Sequence, residues 1–284
     1  MAGLSFSGGF MQNNHLTGFK IKKQLEGKKE EGKVVPRRYM LLSLMMIGAT
    51  WCLLTFIVKV NPIFLPSPLD VVEAFHTLYT DGLLVPYTLI SLYRVLLGFF
   101  FAALLAIPLG VLMASSKKVE GFSSPFIGFV RYLPVTALIP LMILYFGIGE
   151  LEKMIVIFVG TFFQLVLMVQ DTVSSVPGDL LKASYTLGTK GLAVYTRVLL
   201  PAAMPGIMDN LRICMGWAWT YLVIAELVAA NSGLGFMIMR SQRFLKTDQI
   251  FAGLIVIGCL GIVTDYLFRY LSRLLFPWYE RLGQ

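Results

Sequence analysis

Long, uninterrupted apolar runs separated by short polar stretches dominate this chain. They fall at about 39–58, 88–114, 122–146, 151–169, 206–230 and 250–276. A helix of about 20 residues crosses about 30 Å of hydrocarbon, so each run is long enough to span a bilayer. In lipid every backbone N–H and C=O needs an internal partner, which leaves only helices and closed barrels. Barrel strands alternate apolar and polar positions over about ten residues. These runs do not alternate. The pattern predicts an all-α polytopic membrane protein with six transmembrane helices.

The interruptions carry information of their own. Pro62, Pro66 and Pro68 forbid a regular helix after the first run. Ser67 and Pro68 then read as an N-cap and first helical residue. Leu69, Val72, Phe75, His76 and Tyr79 follow at helical spacing, which predicts a short amphipathic helix at the membrane interface. In the second run Ala102, Ala106, Gly110 and Ala114 recur every four residues, a stripe that lets another helix approach closely. Pro108 predicts a kink there. The third run holds Pro125, Pro134 and Pro140, so a broken helix is expected, its freed carbonyls satisfied by neighbours or by water in a cavity. Trp278 and Tyr279 near the end suit the headgroup level.

Composition agrees with this picture. The chain is 57% hydrophobic and 14% charged, about half the charge of a soluble domain. Its net charge of +8 does not point to nucleic acid, because excess Lys and Arg in a membrane protein marks cytosolic loops. With a cytosolic N-terminus, the inside segments hold 16 Lys and Arg and the outside segments 5. Both termini are therefore expected in the cytosol. Residues 1–38 hold eight of those charges and read as a basic, disordered cytosolic tail, not a cleavable signal peptide. Residues 39–284 read as the transmembrane domain. Cys52, Cys214 and Cys259 are far apart in apolar runs, and His15 and His76 are isolated, so no metal site is expected.

Catalytic signatures are absent. The Gly-Lys pairs at Gly27-Lys28 and Gly32-Lys33 lack the upstream Gly and the following Ser or Thr of a phosphate-binding loop. No HExxH or GxSxG occurs. The segment 170–205 is different: moderately polar, helix-compatible, and set between apolar runs. Val176-Pro177-Gly178-Asp179 can begin a helix, with Asp179 at its positive end. Leu180, Ala183, Ser184, Leu187 and Gly188 share one small apolar face. A second short helix, 191–200, is expected to stop near Pro201. Periodicity alone leaves two readings open, a docking helix and a merely solvated loop. Among charges inside spans, Glu226 is placed mid-span, with Arg94 less deep. Such charges need a partner or a water-filled path, and pairing of Glu226 with Arg94 or Arg131 is the favoured reading.

The order Ala183-Ser184, Gly188, then Val198, Leu200 and Pro201 resembles the EAA loop of membrane subunits of binding-protein-dependent ABC importers. Further segments resemble the nitrate, sulfonate and taurine type of these permeases. They are 64–68, 131–134 with 146–149, 199–207, Leu211-Arg212, Ala225-Glu226-Leu227, Gly233-Leu234-Gly235 and 275–278. The likeness runs in order from about 39 to 278. It implies a type I ABC importer permease fold, with a second permease copy, two cytosolic ATPases, an extracytoplasmic solute-binding protein and surrounding inner-membrane lipid as partners, and no cofactor. It also assigns ATPase coupling to Asp179, Lys182, Ala183, Ser184, Leu187, Gly188 and Pro201. Lys182 stands where the motif has an acid and Ser184 where it has its second alanine, so a salt bridge from the first position is not expected. The implied cargo is a small sulfonate-like or other oxoanion. Alternatives are a pyrimidine or flavin precursor in the same machine, and a stand-alone channel or secondary carrier.

Overall fold

The computed structural model describes residues 37–279, so the basic tail lies outside the described residues except for its last two positions. Two compact units divide at Leu53/Leu54. The first carries α1 (Arg37–Cys52), whose apolar stretch continues through a π-helical turn to Ile57. The second holds α2 (Pro68–Thr80), α3 (Leu84–Ser115), α4 (Lys117–Val130), α5 (Val135–Phe146) and α6 (Glu150–Ser174). It continues with α7 (Gly178–Thr186), α8 (Leu200–Ala229), α9 (Leu234–Arg243) and α10 (Thr247–Leu275). No strand occurs among the described residues.

Among the described residues, four helices are long and apolar enough to cross a membrane: α3, α6, α8 with its lead-in from Leu192, and α10. The third expected span is broken, as its prolines imply. It is two helices, α4 and α5, bent by 97° at a break. Pro134 sits at that break as the N-cap of α5, in extended conformation, where its missing N–H costs no helical hydrogen bond. Leu41–Ile57 is a shorter apolar helix at the position of the first span.

The core lies along α3, α6 and α8. Val95, Phe99, Ala106 and Met113 of α3 pack with Ile157, Leu165, Val166 and Val169 of α6. Ala203, Ile207, Cys214 and Leu222 of α8 close the other side of α6. The small-residue stripe of α3 forms this seam, with Gly98 extending it by a turn. A methyl group on Gly98 would sit 2.9 Å from the Met154 carbonyl oxygen. One on Gly110 would sit 2.7 Å from that of Val166. Helix α3 continues through Pro108 without interruption.

Two expectations about helix ends change. Ser67 does cap α2, accepting from the Asp70 N–H while the Asp70 carboxylate accepts from the Ser67 N–H. Its buried face, however, is Val71, Ala74 and Leu78, and the predicted stripe of Leu69, Val72 and Tyr79 points outward. The chain also does not stop at Pro201. It is helical from Leu192 to Ala229, with a π-helical turn at Tyr195–Leu199. The Leu200 N–H reaches back to the Tyr195 carbonyl, and this wider turn relieves the clash that the proline ring would make with the preceding turn.

The seam leaves no room for added volume. Gly110→Ala should lower stability by about 1–3 kcal/mol, as overpacking does. Gly216→Ala, whose methyl would meet nothing within 4 Å, should be neutral or slightly stabilising. Thermal unfolding of the two variants in detergent tests the contrast.

Candidate functional site

The polar segment between α6 and α8 is shorter than 170–205. Helix α6 runs to Ser174 and the next long helix begins at Leu192, so only 175–191 lies between them. Helix α7 occupies its centre. It ends in two reverse bonds: the Gly188 N–H donates to the Tyr185 carbonyl and the Thr189 N–H to that of Ser184. This ending requires a left-handed residue after the cap, and Gly188 supplies it with φ +85°. A side chain there would meet nothing within 4 Å. The glycine is therefore needed for backbone conformation, where the sequence suggested room for a close approach.

The face of α7 also differs from expectation. Ser184 is buried, its hydroxyl donating 2.7 Å to the Leu181 carbonyl, so it does not lie with the outward residues. Leu180, Tyr185, Leu187 and Leu192 are exposed, Leu187 at 85%. Lys182 and Asp179 pair at 2.9 Å on the solvent side. Pro201 lies in the first turn of α8, away from α7 in sequence.

At the opposite end of the helices lies a buried polar node. Arg94 is 1% exposed, and all five guanidinium N–H donors are used. Nε and Nη2 clasp the Glu150 carboxylate at 2.6 Å each. Nη1 donates to Glu226 Oε1 at 2.7 Å and to the Ser232 carbonyl at 2.7 Å. Nη2 also reaches Ser232 Oγ at 3.0 Å. Glu226 is 1% exposed and lies in the last turn of α8, not mid-span. It accepts from Ser91 Oγ and from the Gly235 N–H, both at 2.7 Å. Ser91 in turn accepts from the Leu234 N–H at 2.9 Å. The otherwise orphaned N–H groups that open α9 are thus satisfied by side chains of α3 and α8, with a carboxylate at the helix's positive end. Gly233 and Gly235 are small because Glu226 fills their side-chain space.

Arg131 is elsewhere. It caps α4 at the break before α5 and lines a cavity of about 460 Å³ between that break, α6 and α8. Of the three charges singled out in the sequence, the structure joins Arg94 to Glu226 and leaves Arg131 apart. Sequence reasoning missed Ser91, Glu150 and Ser232. Ser91 was signalled only by its spacing of three from Arg94 on one helix, and Glu150 only by its place after Gly149. The buried Glu152, 3.5 Å from Lys153 in the same turn of α6, was also unforeseen.

Residues 106–277 match the family described as binding-protein-dependent transport system inner membrane component. That is more than half the chain. The chain belongs to this family. The permease is 36% identical to the taurine transport system permease protein TauC of Escherichia coli, over 84% of this chain and 88% of the relative. It is 35% identical to the putative aliphatic sulfonates transport permease protein SsuC of Bacillus subtilis, over 82% and 84%. Its fold is similar to that of the inward-facing MetNI methionine ABC transporter, with TM-score 0.62, 22% identity, and coverage of 68% of this chain and 96% of the other. The fold is therefore that of a type I ABC importer permease, and the chain is a permease subunit of such an importer. Hydrolysis of ATP belongs to a separate subunit, which removes the stand-alone channel or carrier reading.

The node makes an ordered prediction. Glu226→Ala leaves buried donors of Arg94, Ser91 and Gly235 unpaired, and breaking a buried pair this way costs about 3–5 kcal/mol. Glu150 is 47% exposed, so Glu150→Gln should cost clearly less. Melting temperatures in detergent should fall in that order, and equal losses would show that the Glu226 pair is not the dominant one.

Proposed function

We propose that this permease carries a small sulfonate-like or other oxoanion across the inner membrane, working as two copies driven by ATPases that grip α7. An extracytoplasmic binding protein delivers the solute. One observation carries the coupling part: Leu180, Tyr185, Leu187 and Leu192 expose apolar side chains on and just after a short helix between two spans. A solvated loop has no reason to hold such a patch, and a partner protein covering it does. The excess of Lys and Arg in the same set of loops favours a cytosolic α7 and cytosolic termini.

Helix α7 is short and its ends are set by Pro177 on one side and by Gly188 and Gly191, both at positive φ, on the other. A displacement of α7 is therefore passed to α6 and α8 as a rigid-body motion. Within the coupling set, Leu187 and Ala183 supply the contact face, and Asp179 and Lys182 form a weak exposed pair. Ser184, Gly188 and Pro201 shape the helix ends. The oxoanion is supported by the relatives named for taurine and aliphatic sulfonates, both of which carry an ionised sulfonate group.

Leu187→Asp should weaken association with the ATPase by at least about tenfold, the equivalent of one buried leucine. Lys182→Ala should leave it nearly unchanged. Co-purification of the ATPase and ATP-driven uptake in vesicles read both variants, with melting temperature as the control for folding. Substrate class is read by ATPase stimulation with binding protein loaded with taurine, with a pyrimidine or with a flavin precursor. Stimulation by an uncharged ligand alone would sink the oxoanion reading.

A further inference from the structure

The cavity at the α4–α5 break has features that the coupling helix and the buried node do not explain. It lies level with Gly160 and Gln164, near the middle of α6, and with Thr220 and Tyr221 on α8. Arg131 is therefore a cation at mid-membrane depth, and it is exposed. A guanidinium facing hydrocarbon there is costly, so it faces water, protein or an anion. Its contacts are local: Nη2 donates 2.8 Å to the Tyr132 hydroxyl, and the guanidinium lies 4.7 Å from the centre of that ring. None of the residues lining the cavity is acidic. Arg94, by contrast, spends all five donors on protein.

The rest of the wall suits a small polar anion. Thr136, Gln164 and Thr220 bring hydroxyl and amide donors. Trp217 and Tyr221 bring amphipathic surface beside them. Gly160 leaves the room that Tyr221 occupies, because a methyl on it would sit 2.5 Å from a ring carbon. The start of α5 also lines the cavity and has no side-chain cap, which adds backbone donors at the positive end of a helix. A volume of about 460 Å³ holds a small organic anion with some water.

We propose that this cavity is an anion-binding station on the translocation path, with Arg131 as its counter-charge and Thr136, Gln164 and Thr220 as oxygen-contacting donors. The proposal deepens the oxoanion-importer reading and rests on it for the substrate class. The broken span places a cation and uncapped backbone at the wall of one cavity.

The test uses the full chain with its ATPase in nanodiscs. Cys52, Cys214 and Cys259 are replaced by Ser and Thr220→Cys is added. Modification of the new thiol is timed with two reagents, the anionic 2-sulfonatoethyl methanethiosulfonate and the cationic 2-trimethylammonioethyl methanethiosulfonate. The anion-to-cation rate ratio should fall at least about tenfold in Arg131→Gln, as loss of a unit charge a few ångström away demands at intermediate dielectric. It should recover in Arg131→Lys. No reaction with either reagent overturns the proposal, since the cavity is then closed to water. A ratio indifferent to Arg131→Gln overturns it as well. Labelling is repeated in phosphatidylcholine with and without phosphatidylglycerol, and a preference abolished by the anionic lipid assigns Arg131 to a headgroup and overturns the proposal. If the ratio behaves as expected but taurine-loaded binding protein gives no ATPase stimulation, the sulfonate reading fails and the anion station stands.

Discussion

A guanidinium buried among apolar helices has to find a partner for each of its five N–H groups, and that demand organises one end of this permease. Arg94 meets it with groups from the first turn of α6, the last turn of α8 and the loop before α9. Each partner comes from a different segment, so the arginine fixes where several helix ends lie relative to one another. Removing any of them from the set strands charge or donors in a place without water. Glu226 extends the same constraint to the backbone that begins α9.

The two ends of the bundle are built for different tasks. At the Arg94 end, side chains and backbone are locked by charge-assisted hydrogen bonds, and Gly233 and Gly235 are kept small by the carboxylate beside them. At the α7 end, the links are two short turns, one with glycines in left-handed conformation and the apolar side chains left exposed. Between them the small-residue seam of α3 and α6 is packed tightly enough to transmit motion as a unit. At the α4–α5 break the packing opens into a cavity beside this seam.

The segments that resemble the importer family acquire physical reasons in the structure. Ala225-Glu226-Leu227 and Gly233-Leu234-Gly235 are two halves of one contact, carboxylate and cradle. Phe64 to Pro68 leads into a capped helix whose start is tied by the Thr247 hydroxyl, which donates 2.6 Å to the Ile63 carbonyl. Arg131 to Pro134 is the hinge that opens the cavity. Lys182, the departure from the motif, pairs with Asp179 in solvent.

What the sequence determined by itself is everything local or periodic. Four of the spanning lengths, the all-helical class, the capped α2, the seam stripe on α3 and a break in the proline-rich third run follow from residue spacing, because helix geometry and the absence of water in lipid act over a few turns. Its limits are equally physical. Glu226 looked mid-span because an apolar run does not reveal where its helix stops, and Gly188 looked like a contact point because φ is not written in a residue name. Whether Arg94 or Arg131 would meet Glu226 was open for the same reason. That choice depends on which helix ends arrive at the same place, 132 positions apart in the chain for the pair that formed. Only the packing of α3 against α6 and α8 decided it, and by burying Arg94 among partners it left Arg131 facing the cavity.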